Sequence, residues 1–444
     1  MTCHIVCLAG PEDKFSPTSG SRDEIIYVPF EFPGHQDTFQ NSSPDVFARH
    51  GIAPSVAAGD LLNAAVAAYI ADVRASRGTA FDGWTRDFVL HVAVRDENGW
   101  ASGAKTLADL LSFLTGDRWA IEPRQAPKSY KPFQQEETAK EPLTARTVSL
   151  FSGGLDSFVG AIDEVERQGK ILLVGHHSAG GGATSKSQSA ALDSLRTRYP
   201  KERAPFVQLW ISPPKVGSHV SETTTRGRSI IFLGLGIAIA DGLGAEALLV
   251  PENGLISLNV PLTNSRLGSF STRTTHPHSM SLVRQLLLDL GIGVRLELPY
   301  RFRTKGEMIA QCANRQLLDP SIAGTMSCSH PGANRFTMKN PTLHCGYCIP
   351  CLIRRAAISS SLSNDPTPYA VTDLAQPLSG QRQSDLRALK MALDRFAQRP
   401  PRLSDLLASG PLRYPDNELA EYLGVFSRGL DEVRLFLTKY PSKA

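Results

Sequence analysis

The chain has 444 residues, 41% of them hydrophobic and 20% charged, enough to bury a sizeable core and divide into two or three domains. Forty-seven Lys and Arg against 43 Asp and Glu leave a net charge of +4, far from the polybasic composition of a dedicated nucleic-acid binder. Met1 to Phe15 has no basic segment followed by an apolar core, and the apolar run Ile230 to Ala240 is too short to span a bilayer, so a cytoplasmic protein without a membrane span is expected.

In chain order, residues 1–145 mix extended runs (Glu24 to Phe32, Asp87 to Arg95) with an Ala-rich helix (Val56 to Ala75) and a second helical pattern (Leu107 to Thr115). They read as an N-terminal α+β accessory domain, closed by an aperiodic polar linker from Gln125 to Arg146. In residues 146–360, short apolar runs at Val148 to Phe151, Ile171 to Val174, Phe206 to Ile211, Ala247 to Val250 and Val294 to Leu298 read as strands. Helical patterns fall between them near Asp156 to Arg167, Gln188 to Arg198, Ser229 to Ala240 and Ser279 to Leu290. Strands alternating with helices predict an α/β domain built on a doubly wound parallel sheet. Residues 361–444 read as a helical extension, with amphipathic patterns near Ser384 to Ala397 and Asn417 to Leu437.

The run Ser152-Gly153-Gly154-Leu155-Asp156-Ser157 sits where the first of those five strands turns into a helix. Two successive glycines let the backbone approach an anion, and the helix N-terminus supplies amide donors. Ser152 and Ser157 add hydroxyls, and Asp156 can hold the Mg²⁺ that accompanies a polyphosphate. No Gly-Lys-Ser/Thr follows, so this is not the P-loop of kinases and GTPases. Ligands of an open parallel sheet lie beyond the carboxyl ends of its strands, which singles out His176, His177, Glu252, Asn253 and Lys305. Arg226 and Arg228, just before a helix, could clamp a phosphate or carboxylate, and Arg226 is taken with Glu252 and Asn253 as the substrate-binding set. From Asn253 to Arg355 twelve Lys/Arg face four Asp/Glu, as suits an anionic ligand; direct nucleic-acid binding stays open.

Cys328, Cys345, Cys348 and Cys351 crowd into 24 residues and could form a closed tetrahedral zinc site. An iron-sulfur cluster is the rival, and His330 or His344 could replace a thiolate.

SGGLDS resembles the PP-loop signature of ATP pyrophosphatases, which cleave ATP between the α and β phosphates and leave an adenylated substrate. Together with Lys305-Gly306-Glu307-Met308, Thr325-Met326-Ser327-Cys328 and HCGYCIPCLIRR, it resembles the 7-cyano-7-deazaguanine synthase (QueC) family. Met326 replaces a family Trp, and the loop Ser329 to His344 is enlarged. The resemblance implies ATP binding with Mg²⁺ by Ser152, Gly153, Gly154, Leu155, Asp156 and Ser157, and zinc on the four cysteines. Catalysis falls to Asp156 and Lys305. It also implies amide and then nitrile formation on a 7-deazaguanine carboxylate.

The resemblance covers about Arg146 to Ile358. In length and layout the whole chain resembles the enlarged QueC-like proteins of bacterial anti-phage systems, which implies an amine acceptor on a partner protein in place of ammonia; an α-amino group, with a pKa of about 8 against about 10.4 for lysine, is the more readily unprotonated amine and favours the partner's N-terminus. A PP-loop tRNA thiolase using Cys312 and a non-catalytic nucleotide-sensing scaffold are the remaining readings.

Overall fold

The computed structural model describes residues 1–133, 139–177, 182–213, 222, 226–262, 273–330, 343–376 and 381–440. Parts of the expected linker and of the enlarged loop, at 134–138 and 331–342, lie outside the described residues.

Strand β1 (Thr2–Ala9) is buried from Ile5 to Ala9, the near-continuous apolar run that a sheet covered on both faces requires. It pairs on one side with β2 (Glu24–Phe30) and on the other with β4 (Asp87–Val94), which pairs in turn with β5 (Arg118–Gln125). All three pairings are parallel, so this region is α/β, not the α+β expected. Strand β5 hid in the sequence because Arg118, Glu122, Pro123 and Arg124 look like a loop; it is an edge strand, where a proline costs no central ladder bond.

The second sheet runs β10 (Arg295–Glu297), β9 (Ala247–Leu249), β6 (Thr147–Leu150), β7 (Leu172–His177), β8 (Phe206–Ser212) and β3 (Gln40–Asn41). Strands β6 to β10 are parallel and order themselves as expected of a doubly wound fold; their order reverses between β6 and β9. Strand β3, from the N-terminal region, adds antiparallel to the β8 edge and is followed by helix α1 (Ser43–His50).

Helix α2 (Val56–Arg74) is long and apolar enough to cross a membrane, yet every residue from Ala58 to Asp72 is buried inside the protein. It packs on α6 (Arg228–Gly242), while α3 (Trp100–Thr115) packs on α8 (Pro277–Asp289). The Ala-rich composition has its reason here. A Cβ at Gly234 of α6 would lie 3.0 Å from Cβ of Ala65, so small residues set how closely the two helices approach. One apolar core thereby runs from the first sheet through these four helices into the second. A second core lies under α4 (Leu155–Gln168) and α5 (Ala183–Arg196). A third joins α7 (Gly254–Leu258) and α11 (Ile349–Ser361) to the C-terminal α12 (Gln381–Gln398), α13 (Leu403–Leu407) and α14 (Asp416–Leu437). Helices α9 (Lys305–Ala310) and α10 (Arg315–Ser321) lie between, packed on α4, α5 and α11.

The seam between the sheets contains a buried network of four charges. Arg86 bonds Asp72 at 2.5 Å and Asp117 at 2.6 Å, Arg77 reaches both oxygens of Asp117 at 3.0 and 3.1 Å, and Asp72 accepts the Gly227 amide at 2.7 Å in front of α6. Removing one member strands an uncompensated charge, which costs about 3–5 kcal/mol. Arg86→Leu is therefore expected to lower the unfolding free energy by that amount in chemical denaturation, several times the effect of Arg118→Leu, whose partner Asp87 is exposed.

Candidate active site and metal centre

Buried Val148 and Leu150 of β6 end at Phe151, and the chain then turns through SGGLDS into α4 with Gly154 at the N-cap. Gly153 adopts φ +77°, and a Cβ there would stand 2.6 Å from the Gln188 amide nitrogen of α5, so only glycine fits. Its carbonyl accepts the Met326 amide at 2.9 Å, which ties the loop to the Thr325–Cys328 segment. Ser152 and Ser157 hydroxyls lie 3.2 Å apart; Ser152 Oγ accepts the Gly154 amide at 3.2 Å, and Ser157 donates to the Gly154 carbonyl at 2.9 Å. The loop is held by its own side chains, with its helix N-terminus aimed at the carboxyl edge of the sheet.

Asp156, on the first turn of α4, is buried and meets Lys305 and Asn253. Lys305 Nζ donates to Oδ1, while Oδ2 accepts the Asn253 backbone amide at 3.1 Å and its side-chain amide at 2.6 Å. The same Asn253 side chain donates to Glu252 at 3.0 Å and caps α7 by accepting the Ile256 amide at 3.0 Å. Asn253 and Lys305 are themselves buried. Burial would raise the Asp156 pKa, but the Lys305 ammonium and the hydrogen bonds outweigh it and hold the carboxyl at about 2. For Glu252, burial and the adjacent Asp156 charge act together and push its carboxyl well above the usual range. One ionised and one protonated carboxyl thus share a site where the strand order reverses.

Lys305 opens α9, whose capping box joins the Thr304 hydroxyl to the Glu307 amide (3.0 Å) and the Glu307 carboxylate to the Thr304 amide (2.9 Å). The C-terminal helix grips the same turn: Thr304 donates to Glu432, and Arg428 pairs with Glu307 at 2.6 Å. Ser152, His176 and Met326 then line a cavity of about 860 Å³ whose far wall is apolar and comes partly from Leu389, Phe426 and Val433 of the C-terminal helices.

The expected residues do not all converge. Asp156, Lys305, Glu252 and Asn253 meet, whereas Arg226 does not: its guanidinium donates to the Thr115 carbonyl at 2.9 Å and stacks over Trp84 at 5.0 Å. Two residues on, Arg228 lines the cavity instead. Cys312 is buried in the second core, where burial and then Asp163 push its thiol up to about 12, unlike an activated sulfur.

The sulfurs of Cys328, Cys345, Cys348 and Cys351 form their own buried cluster, with Cys328 to Cys348 at 3.9 Å and Cys345 to Cys351 at 3.8 Å. Four sulfurs about 2.3 Å from a tetrahedral zinc would lie roughly 3.8 Å apart, so the spacing fits. Backbone amides of His330, Cys345 and Cys348 point at these sulfurs at 3.3–3.4 Å, as thiolates favour. Cys328, Cys345 and Cys348 together with the His330 ring bring four ligand atoms close enough to hold a metal ion such as zinc, and Cys351, 3.8 Å from Cys345, is the thiolate that would take the place of the His330 ring in an all-cysteine site. His344 is not one: it is fully buried, and Nε2 accepts the Ser327 amide at 3.2 Å.

Sequence reasoning missed Gln188, which donates to the Phe151 carbonyl at 3.1 Å, and Glu432, neither of which carries a motif. Arg354 had a signal, three residues after Cys351. It is fully buried and donates to Ile322 carbonyl, Thr325, Ser327 and Thr367, fixing the segment that backs the glycine loop.

No family model matches the chain. It is 26% identical over 252 residues to a 7-cyano-7-deazaguanine synthase of Paracoccus denitrificans, an alignment covering 54% of this chain and 99% of the relative. Against 7-cyano-7-deazaguanine synthase 1 of Sphingopyxis alaskensis it is 26% identical over 169 residues, 36% of this chain and 65% of that protein. Over about half its length, then, the chain is similar to 7-cyano-7-deazaguanine synthases.

Proposed function

We propose that the protein is an ATP-dependent ligase that adenylates the carboxylate of a 7-carboxy-7-deazaguanine-like acid and joins it to ammonia. The observation that carries this reading is the buried Asp156–Lys305–Asn253–Glu252 cluster beneath the glycine loop. The names of the two relatives supply the substrate class.

A carboxylate oxygen attacks the α-phosphorus of ATP and pyrophosphate leaves; ammonia attacks the resulting acyl adenylate and AMP departs, giving the amide. A second ATP activates the amide oxygen in the same way, and loss of AMP and protons gives the nitrile. The Gly153 amide and the α4 N-terminus bind the phosphates, and the Lys305 ammonium is fixed by Asp156 where negative charge grows. Mg²⁺ would supply further charge neutralisation when bound with ATP. Asp156 and Glu252 fit it, because their charges raise each other's cost at one buried site and a divalent cation would offset both.

The expectation of a partner protein's N-terminal amine as acceptor, in anti-phage defence, rests on the resemblance in length and layout to the enlarged QueC-like proteins, with the flanking regions orienting the partner. Their helices instead contribute to the shared core and to the cavity wall, and the relatives carry synthase names, so ammonia is the acceptor proposed here.

With Mg²⁺, ATP, ammonia and 7-carboxy-7-deazaguanine, the purified protein is expected to release AMP and pyrophosphate. Asp156→Asn should slow that release about 100-fold or more, the size of losing one fixed charge contact of ~3 kcal/mol in the transition state. ADP and phosphate as products would refute the mechanism.

Elemental analysis is expected to find about one zinc per chain on the four thiolates. Cys348→Ser should lose the metal and lower the melting temperature together, since structural zinc binding contributes folding free energy. Iron with inorganic sulfide would overturn the zinc assignment.

A further inference from the structure

Arg228 stands at the first position of α6 and lines the cavity beside Ser152 and His176. Arg228 is half-buried, and the fully buried arginines among the described residues all have carboxylates, carbonyls or hydroxyls around them. Arg86 has Asp72 and Asp117, and Arg354 has a carbonyl and three hydroxyls. Arg228 has no ion pair or hydrogen bond with any described residue, and the nearby Tyr69 phenol, whose pKa burial raises, offers it no negative charge near neutral pH. Holding a desolvated guanidinium without a counter-charge is costly unless something in the cavity supplies one.

A second side chain at the same place is also unsatisfied. His176, at the carboxyl end of β7, is 2% exposed, lines the cavity, and makes no hydrogen bond through either ring nitrogen. Burial and then the Arg228 charge hold it neutral, with a pKa near 3, and although the Ile211 backbone lies near the ring, neither ring nitrogen has a partner at normal hydrogen-bond geometry, which leaves the imidazole able to bond a ligand. The α6 N-terminus adds its dipole. Its position is fixed from the N-terminal region, because the Gly227 amide is taken by Asp72 of the buried charge network and Arg228 stands beside Tyr69 of α2.

We infer that Arg228 and His176 form an oxyanion subsite of the cavity, in which the guanidinium fork takes a carboxylate or phosphoryl group and the imidazole hydrogen-bonds the same ligand. This rests on the adenylation reading for the ligand's identity, and the oxyanion has two possible sources: the acid to be activated, or ATP. A planar fork suits either.

Calorimetric titration of the full-length zinc-loaded protein separates them, using 7-carboxy-7-deazaguanine in one arm and Mg²⁺ with α,β-methylene-ATP in the other. Arg228→Gln is expected to weaken one ligand about 30-fold or more, the loss typical of a charge-assisted bidentate contact, and to leave the other within about threefold. The ligand that weakens names the source. Arg228→Lys should recover part of the loss, and His176→Phe should weaken the same ligand while leaving the other unchanged, which a general loss of folding would not do. Unchanged binding of both ligands by Arg228→Gln would overturn the subsite. So would parallel weakening of both by either variant with melting temperature and zinc content retained. If the wild type binds neither ligand, the adenylation reading falls; the subsite is then tested with pyrophosphate, whose binding Arg228→Gln must weaken if the inference is right.

Discussion

A single buried carboxylate organises this molecule. Asp156 sits on the first turn of α4, and its two oxygens receive a lysine from α9 and both amides of the residue that caps α7. Segments 97 and 149 residues further along the chain therefore meet at this one side chain. An ionised carboxylate in such surroundings is stable only while all its donors stay in place. That condition explains features which look unrelated: Gly153, which lets the loop press on α5; Arg354, which holds the Thr325–Cys328 segment against the loop; and the capping box that aims Lys305.

The regions on either side of the PP-loop-like unit take part in the same construction. Asp72 of the N-terminal α/β unit accepts the Gly227 amide, so its buried charge network sets where α6 begins. From the other end, Glu432 holds the Thr304 hydroxyl one residue before Lys305, and α14 lends Phe426 and Val433 to the cavity wall. Neither region is a freely hinged appendage: the first shares its core with both sheets, and the second is packed on α7, α9 and α11.

Much of this was legible in the sequence, and the failures have physical causes. Apolar runs after Thr147 locate the five parallel strands because β6, β7 and β9 are buried on both faces and β8 and β10 on one, and SGGLDS falls at the strand-to-helix junction as expected. The cysteine spacing announced a cluster that the geometry assembles at distances suited to zinc. Strand β5 was missed because its charged and proline residues tell of an edge, not of a ladder. The sequence favours Arg226 over Arg228 although both stand at the start of the same helix, Arg226 just before it and Arg228 as its first residue; two residues there turn a side chain to a different face, and no one-dimensional pattern says which face is the cavity. Glu432 was invisible for another reason. It contributes through a contact 128 residues away in sequence, and local spacing carries no trace of such a pairing.

The account's central claim is that this cluster directs a carboxylate oxygen onto the α-phosphorus of ATP. Isotope transfer tests it without recourse to variants. With both carboxylate oxygens of 7-carboxy-7-deazaguanine labelled as ¹⁸O, each AMP released should carry one labelled oxygen and the pyrophosphate none. Label in inorganic phosphate, or AMP free of label while product forms, would contradict the claim.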